Sequence, residues 1–194
     1  MVDSVVTDRE SLLVELVDES GTTIGSCSVS RAHQPPGQPH RAFSVLLFDE
    51  SGRILLQRRA AVKTRFPSRW SNACCGHPAP GQTIAQGAAL RLVDELGITV
   101  ALTEVGVYRY RAEDLATDRV EDEWDHVLVG IVVGETIQPN PAEVSEYAWV
   151  EPVDLDVALI ASPQNYTPWL VGVLAAAASP KARVSEGGVW VGPT

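Results

Sequence analysis

Cysteine is scarce in this sequence of 194 residues, which contains only three. Two of them, Cys74 and Cys75, are neighbours, and adjacent cysteines rarely reach the geometry of a disulfide. The chain therefore lacks the cysteine framework of a small secreted domain. Its first ten residues, MVDSVVTDRE, also have neither the basic start nor the apolar run of a signal peptide. We expect a cytoplasmic protein with free thiols.

Positive charge and long apolar runs are scarce as well. Fifteen Lys and Arg stand against 25 Asp and Glu, which gives a formal net charge of −10. A nucleic-acid-binding protein needs a basic face that displaces counterions, so this balance argues against nucleic acid as a partner. No apolar run approaches the roughly 18 residues that cross a bilayer, which argues against a membrane partner. A small anionic ligand stays possible where a few cations converge.

The composition that is present, with 45% hydrophobic and 21% charged residues, is close to that of globular domains. The apolar spacing predicts strands over residues 11–17, 43–48, 54–57, 105–111, 126–133 and 147–150. It predicts helices over residues 82–96, 153–160 and 168–178, and the first of these ends before Gly97, a typical C-terminal glycine. We therefore predict an α/β (α+β) fold in which a mixed sheet is covered by helices.

The few reactive side chains are concentrated in one turn-forming stretch, SNACCGHPAPGQ, at residues 71–82. Cys75 and His77 lie two residues apart within it. A free cysteine is most often a small hydrophobic residue, which is how we interpret Cys74. The stretch is therefore either a buried kink or the floor of an active site.

Histidines and paired carboxylates occur in two further segments. His33 and His40 share the loop RAHQPPGQPH, and Glu121 and Glu123 are two residues apart in VEDEWDHV. In an extended segment this spacing places both carboxylates on one face. With His77 they would give three imidazoles and two carboxylates, a set that suits Mg²⁺, Mn²⁺ or Zn²⁺. Spacing alone does not bring them together, and each has a simpler interpretation as an exposed histidine or a solvated charge.

Several other polar and aromatic residues have ordinary structural interpretations. Arg91 and Glu95 lie four residues apart on the predicted helix 82–96, a spacing typical of surface ion pairs of little stability. Tyr110 and Trp169 are, on their own, candidates for the core. His126 alternates with apolar residues of a predicted strand, and we interpret it as structural.

The order of these motifs resembles that of the type I isopentenyl-diphosphate isomerases, a branch of the Nudix superfamily. The resemblance covers roughly residues 12–173 and rests on HRAFSVLLFDE, LLQRRA, WSNACCGHP, a helix ending in DELG, EDE followed by DHVLVG, and SPQNYTPW. The combination of CGHP, paired glutamates and a late PW is specific to that branch. It implies a Nudix-like mixed sheet sandwiched between helices, as one domain over residues 1–180 with a loosely ordered tail at 181–194.

The resemblance also implies a metal site beside two proton-transfer groups. The implied ligands of one Mg²⁺, Mn²⁺ or Zn²⁺ ion are His33, His40, His77, Glu121 and Glu123. Cys75 and Glu123 are then the acid/base pair that acts on the carbon skeleton of the substrate. Tyr110 matches the tyrosine that supports proton transfer, and Trp169 matches the tryptophan that faces a carbocation.

A second part of the implied site binds diphosphate. Glu95, with the main-chain carbonyl of Cys75, would hold a Mg²⁺ that bridges to the diphosphate, and Arg59, Lys63 and Arg91 match its basic residues. The implied reaction moves the double bond of isopentenyl diphosphate, giving dimethylallyl diphosphate. Protonation of the alkene gives a tertiary carbocation, and removal of a neighbouring proton completes the shift, so an acid and a base are both needed. The expected partner is a small prenyl diphosphate, and the expected state is a monomer or weak homodimer.

Three positions depart from the pattern of that branch, all on the diphosphate side. Val29 stands where a lysine is common, Gln82 where the helix usually opens with glutamate, and Leu90 where an arginine is frequent. A lost charged contact to phosphate weakens binding by about 1.5–3 kcal/mol. Arg31 is a candidate to compensate for Val29.

These departures leave alternatives open. A paralogue would protonate the alkene of a different prenyl diphosphate, for isomerisation or cyclisation. A Nudix diphosphate hydrolase predicts several metal-binding carboxylates on the helix 82–96, where only Asp94 and Glu95 occur. A third alternative is a metal-stabilised binding module without turnover.

Overall fold

The computed structural model describes residues 9–178 of the chain. Within them, nine strands form one sheet. The strands are β1 Leu13–Val17, β2 Thr23–Ser28, β3 His40–Asp49, β4 Ile54–Arg59, β5 Trp70–Asn72, β6 Cys74–Gly76, β7 Thr103–Asp114, β8 Arg119–Val132 and β9 Val144–Val150. The helices are α1 Val29–Ala32, α2 Ile84–Leu96, α3 Pro152–Ala161 and α4 Leu170–Ala178. None of these described helices is long and apolar enough to cross a membrane.

The sheet is mixed, and β3 is its central strand. β3 pairs in antiparallel fashion with β1, β4 and β6, whereas it runs parallel to β8 along its whole length. The long β7 is antiparallel to β8, and β9 is antiparallel to β4. The parallel pairing matters for the site because it sets the first residue of β3, His40, beside Glu123 of β8.

Helices cover both faces of the sheet. Successive residues of β3 point to opposite faces, so alternate residues pack against different helices. Phe43, Val45 and Leu47 belong to one buried cluster with Leu92 of α2. Residues 46 and 48 belong to a second cluster with Leu170 and its neighbours in α4. The predicted mixed sheet sandwiched between helices is thus confirmed.

Capping residues define both ends of helix α2. The Thr83 hydroxyl accepts from the Gln86 N–H at 3.2 Å, and the Gln86 side chain accepts from the Thr83 N–H at 3.1 Å, a reciprocal capping box. Gly97 ends the helix in the left-handed conformation with φ of 67°. The predicted start at Gln82 is two residues early, because its side-chain oxygen accepts from a backbone N–H of the preceding turn.

Three short or peripheral strands, β2, β5 and β6, were not predicted. The stretch predicted to form a turn at residues 71–82 begins in β5 and β6. Strands of three residues carry no measurable alternation, so their pairing with β4 and β3 comes from tertiary structure. The predicted loop 31–40 starts inside α1 and ends on the first residue of β3. The single domain over residues 1–180 stays a prediction, and the predicted tail 181–194 lies outside the described residues.

Candidate active site

Strand β6 turns the two adjacent cysteines to opposite sides of the sheet. Cys74 is fully buried in the cluster that contains α2, as its structural interpretation expects. Cys75 pairs with Ser44 of β3 and faces the side of α4. The next residue, Gly76, leaves no room for a side chain, because a Cβ there would lie 2.9 Å from Phe43 Cζ. This glycine lets β6 approach β3 and α2 closely.

All five predicted metal ligands come together at one end of the sheet. His33 follows α1, His40 begins β3, His77 follows β6, and Glu121 and Glu123 lie on β8. One potential ligand atom from each residue lies within 4.8 Å of all the others. Ligands about 2.1 Å from a common ion would be separated by at most about 4.2 Å, so a small inward movement suffices.

The orientation of two imidazoles fits a cation. His33 Nδ1 lies 2.7 Å from the Val29 carbonyl oxygen, and His40 Nδ1 lies 2.7 Å from that of Gln38. A carbonyl only accepts, so each Nδ1 carries the hydrogen and each Nε2 presents its lone pair to the cluster. His40 Nε2 is also 3.2 Å from His77 Nε2, a close approach that a positive charge between them would stabilise. The donor set therefore suits a divalent ion.

The ionisation of Glu123 and His77 agrees with that conclusion. Burial alone would raise the pKa of Glu123, but the adjacent His40 and His77 rings hold it well below the ordinary value. Burial lowers the pKa of His77 to about 4. For His40, burial opposes charge, yet Glu123 raises the pKa above its ordinary value, so metal binding there would displace a proton. A carboxylate and a neutral imidazole are the forms that bind metal.

Of the predicted acid/base pair, Glu123 belongs to this cluster, while Cys75 and the supporting Tyr110 line the same cavity as Glu123. Tyr110 and Glu123 are cross-strand partners, and the Tyr110 hydroxyl donates to Glu123 Oε2 at 2.6 Å. Burial and the Glu123 charge raise the pKa of Tyr110 well above its usual range. Burial, followed by the charge of Asp125, raises the pKa of Cys75 to about 12. The phenol and the thiol are therefore both protonated at neutral pH.

Trp169 lies in a buried aromatic group. It is 2% exposed and packs against Phe66 and Tyr110, with ring centroids 5.3 Å and 5.8 Å away. The Arg59 guanidinium lies 5.6 Å from the centroid of the Trp169 ring. Arg59 also donates to the backbone carbonyls of Arg65 and Phe66, at distances of 2.8–3.2 Å. Arg59, predicted to contact diphosphate, thus holds this backbone in place while it lines the cavity.

Lys63 and Arg91 form a buried charge cluster with two carboxylates. Lys63 Nζ lies 3.1 Å from Glu95 Oε1 and 2.5 Å from Glu143 Oε2. Arg91 contacts both of these carboxylates as well. The Arg91–Glu95 pair is therefore not a surface ion pair, since Glu95 is fully buried. Burial would raise the pKa of Glu95, but Lys63 and Arg91 outweigh it and lower that pKa.

A cavity of about 710 Å³ connects the metal cluster to this charge cluster. Its lining includes Cys75, Tyr110 and Trp169 as well as the cations Lys63 and Arg91. The cavity thus offers both apolar rings with a thiol and positive charge. This arrangement suits a molecule with a hydrocarbon part and an anionic part.

The three positions that depart from the implied pattern, Val29, Gln82 and Leu90, all line this cavity. Arg31, the candidate to compensate for Val29, is exposed and is not among the described residues that line it. A different cation, Arg65, lines the cavity, and its Nε donates to Glu121 Oε1 at 3.1 Å.

Sequence reasoning missed four residues of the site: Arg65, Asn72, Asp125 and Glu143. Asp125 continues the alternation of Glu121 and Glu123 by two residues, so strand periodicity was a signal that could have found it. It is buried, and it accepts the Ser44 hydroxyl at 2.7 Å. Asn72 lies within the quoted stretch 71–82, but an amide carries no catalytic signature. Arg65 and Glu143 had no signal in the sequence.

His126, on the other face of β8, lies outside the cluster. Its Nδ1 is 2.7 Å from Glu104 Oε1, and its Nε2 is 3.1 Å from Arg41 Nη1. These surface contacts agree with its structural interpretation.

Comparison with known proteins defines the class of the fold. A family model described as NUDIX domain matches residues 38–170. The crystal structure of DR0079 from Deinococcus radiodurans has a TM-score of 0.69 at 18% identity, covering 84% of this chain and 97% of that one. The MutT protein from Methanosarcina mazei Go1 has a TM-score of 0.56 at 21% identity, covering 71% and 91%. The fold is that of a Nudix domain.

Sequence relatives narrow the class. A protein of Nocardia farcinica named isopentenyl-diphosphate Delta-isomerase is 60% identical over 161 residues, which are 83% of this chain and 91% of that protein. One of the same name from Streptomyces coelicolor is 47% identical, covering 87% of this chain and 84% of that protein. The chain therefore belongs to the type I isopentenyl-diphosphate Delta-isomerase family of the Nudix superfamily.

Proposed function

We propose that this protein converts isopentenyl diphosphate into dimethylallyl diphosphate. The observation that carries the proposal is the position of the five-residue His/Glu cluster beside a protonated thiol and a buried indole, in a cavity that also contains cations. The names of its relatives support the same reaction.

The reaction needs one proton added and one removed. A proton joins the terminal CH₂ of the alkene, which becomes a methyl group, and the positive charge moves to the adjacent tertiary carbon. A proton then leaves the CH₂ on the other side of that carbon, and its electron pair forms the new double bond. Glu123, with the Tyr110 hydroxyl on its Oε2, is one proton-transfer group, and the Cys75 thiol is the other.

The carbocation requires an environment that stabilises charge but does not react with it. The Trp169 ring meets that need, because an indole face contributes about 2 kcal/mol when desolvated. The ring is 2% exposed, so little water reaches it. Phe66 and Tyr110 pack against it and keep its plane fixed. Exclusion of water protects the cation from hydration to an alcohol.

A divalent ion, Mg²⁺, Mn²⁺ or Zn²⁺, would be held by the five-residue cluster. When bound, it would supply positive charge beside Glu123, which makes a proton held there more acidic. A Mg²⁺ that accompanies the diphosphate would be held by Glu95 and the main-chain carbonyl of Cys75. Lys63 and Arg91 would bind the diphosphate oxygens directly, since both line the cavity.

Turnover tests the proposal directly. Purified protein is incubated with isopentenyl diphosphate and Mg²⁺, and the products are dephosphorylated and separated by chromatography with mass detection. We expect dimethylallyl diphosphate from the wild-type protein and none from Cys75→Ala. No conversion by the wild-type protein, with or without added Mn²⁺ or Zn²⁺, would contradict the proposal. Phosphate release in place of isomerisation would indicate a hydrolase.

A further inference from the structure

Asn72, the last residue of β5, connects two groups of the active site that are far apart in sequence. Its side-chain oxygen, Oδ1, lies 3.1 Å from Cys75 Sγ, which donates to it. The same oxygen accepts from Trp169 Nε1 at 3.1 Å. Asn72 is itself fully buried and is neither an acid, a base nor a predicted metal ligand.

The orientation of the Asn72 amide is fixed by its other end. Nδ2 donates to the Cys74 carbonyl at 2.8 Å and to the Val45 carbonyl at 3.1 Å. Only the NH₂ end of an amide donates, so these two carbonyls force Oδ1 to face the opposite way. The Cys75 thiol and the Trp169 indole lie in that direction. The backbone of β3 and β6 therefore determines where Oδ1 points.

Oδ1 has one further donor besides the thiol and the indole. Ser71 Oγ donates to Asn72 Oδ1 at 3.0 Å and in turn accepts from Thr167 Oγ1 at 3.1 Å. Two hydroxyls near the thiol are more distant. Ser44 Oγ, which donates its hydrogen to Asp125, lies 3.6 Å from Cys75 Sγ, and Ser71 Oγ lies 4.0 Å from it. The Cys75 thiol thus has its shortest described hydrogen bond with Asn72.

We propose that Asn72 is a positioning residue that holds the Cys75 thiol and the Trp169 indole in fixed relation to each other during proton transfer. This inference rests on the proposed isomerisation. The thiol must reach one carbon of the substrate while the ring faces the adjacent cationic carbon. One rigid oxygen that binds both groups keeps those two positions aligned.

The test uses Asn72→Ala in the full chain, with turnover of isopentenyl diphosphate as the readout. A misplaced reacting group costs up to about 100-fold in rate, so we expect kcat to fall by roughly 10–100-fold. KM should stay within about three-fold, because Lys63 and Arg91 bind the anionic part elsewhere. Asn72→Ser provides a second variant if the alanine variant does not fold, since its short side chain keeps a hydroxyl but does not reach both partners.

A double-mutant cycle separates positioning from general stability. Trp169→Phe keeps an aromatic ring but removes the N–H that donates to Asn72. If Asn72 acts through that bond, its replacement should cost at least about three-fold less in kcat in the Trp169→Phe background than in the wild type. Thr167→Val is the matched control. It removes a buried hydrogen bond of the same network, yet should leave kcat within about two-fold because Thr167 reaches neither the thiol nor the indole.

A spectroscopic measurement reports on the hydrogen bond itself, and the dispersion of the backbone amide signals in the same spectrum shows whether each variant is folded. The indole N–H signal of Trp169 in the ¹H–¹⁵N spectrum is assigned by its loss in Trp169→Phe. We expect it downfield of a free indole in the wild type and in Thr167→Val, and shifted towards the free position in Asn72→Ala.

Several results would overturn the inference. A wild-type indole signal at the free position would do so, as would an unchanged kcat in Asn72→Ala or additive effects in the cycle. In these cases the isomerase activity itself would stand. No conversion by the wild-type protein would instead overturn the proposed function, and this inference with it.

Discussion

At the scale of single residues, Glu123 serves both halves of the site. One of its oxygens, Oε1, lies 3.1 Å from His77 Nε2, whereas the other, Oε2, accepts the Tyr110 hydroxyl at 2.6 Å. The side chain therefore lies between the His/Glu cluster and the Tyr110 hydroxyl, which is why we propose that it serves both metal binding and proton transfer. The preceding residue, Asp122, points to the other face of β8, so a substitution of Asp122 can serve as a control for a substitution of Glu123.

We expect Glu123→Gln to reduce kcat by at least about 100-fold, the usual contribution of a general acid or base. The neutral amide should also weaken binding of Mn²⁺, measured by calorimetry, because a carboxylate ligand is lost. Asp122→Asn removes the same charge from the same strand and should change neither quantity. Unchanged activity in Glu123→Gln would remove this residue from the mechanism.

Val29 is the residue at which this chain lacks an expected cation. It lines the cavity and is 5% exposed. We expect a lysine there to extend into the cavity and bind the proposed diphosphate, since a charged hydrogen bond contributes about 1.5–3 kcal/mol.

We predict that Val29→Lys lowers KM for isopentenyl diphosphate by about ten-fold, which corresponds to about 1.4 kcal/mol. Val29→Met adds similar length without charge and should not lower KM. Steady-state kinetics of the two variants show whether the added charge lowers KM. An equal change in both, or a KM that rises in the lysine variant, would mean that position 29 does not face phosphate.

At the scale of elements, α2 carries two members of the charge cluster that Lys63 and Glu143 complete. Glu95 and Arg91 lie in its C-terminal half, whereas its capping box at Thr83 lies at the other end. The stability of the helix and the chemistry of the site are therefore separable along one element.

We expect Thr83→Ala to lower the free energy of unfolding by about 1 kcal/mol, because the N–H of Gln86 loses its acceptor. Thr83→Ser keeps a hydroxyl and should lose little. Urea denaturation measures both, and kcat of the folded protein should not change in either variant. A fall in kcat with Thr83→Ala alone would show that the start of α2 acts on the chemistry.

At the scale of the whole molecule, buried ion pairs make stability depend on pH. Burial opposes the charge of Glu143, but Lys63 and Arg91 lower its pKa from 4.5 to about 2. A carboxyl group with a lowered pKa in the folded state stabilises the protein above its unfolded pKa. That stabilisation is lost as pH falls from about 4.5 towards 2.

Glu143→Gln should therefore be less stable than the wild type at pH 6, and the difference should shrink as pH falls to 3. Thermal unfolding followed by circular dichroism at both values measures this. Glu146→Gln is a suitable control, since Glu146 is exposed and should show no such convergence. A difference between Glu143→Gln and wild type that is constant with pH would contradict the account.

The long elements and the ligand set were predicted from the sequence for different reasons. The strand β3, the helix α2 and the second half of β8 follow from apolar spacing, whereas the first half of β8 lies outside the predicted strand 126–133. The gathering of His33 with Glu121 was implied only by resemblance. No spacing rule predicts that β3 and β8 lie parallel, yet that pairing brings His40 beside Glu123.

What the sequence did not reveal depends on tertiary contacts. Strands β5 and β6 form because neighbouring strands supply their hydrogen bonds, so they leave no local pattern. Asn72 and Glu143 became recognisable only when their partners were known. Asn72 contacts a residue 97 positions away, Trp169, and Glu143 contacts Arg91, 52 positions away.

The central claim is that the site adds a proton to an alkene and removes another from the neighbouring carbon. Isomerisation in D₂O, with the product analysed by mass spectrometry and NMR, tests it most directly. The account predicts dimethylallyl diphosphate with deuterium in the methyl group that was the terminal CH₂. Conversion without deuterium in that methyl group would contradict it.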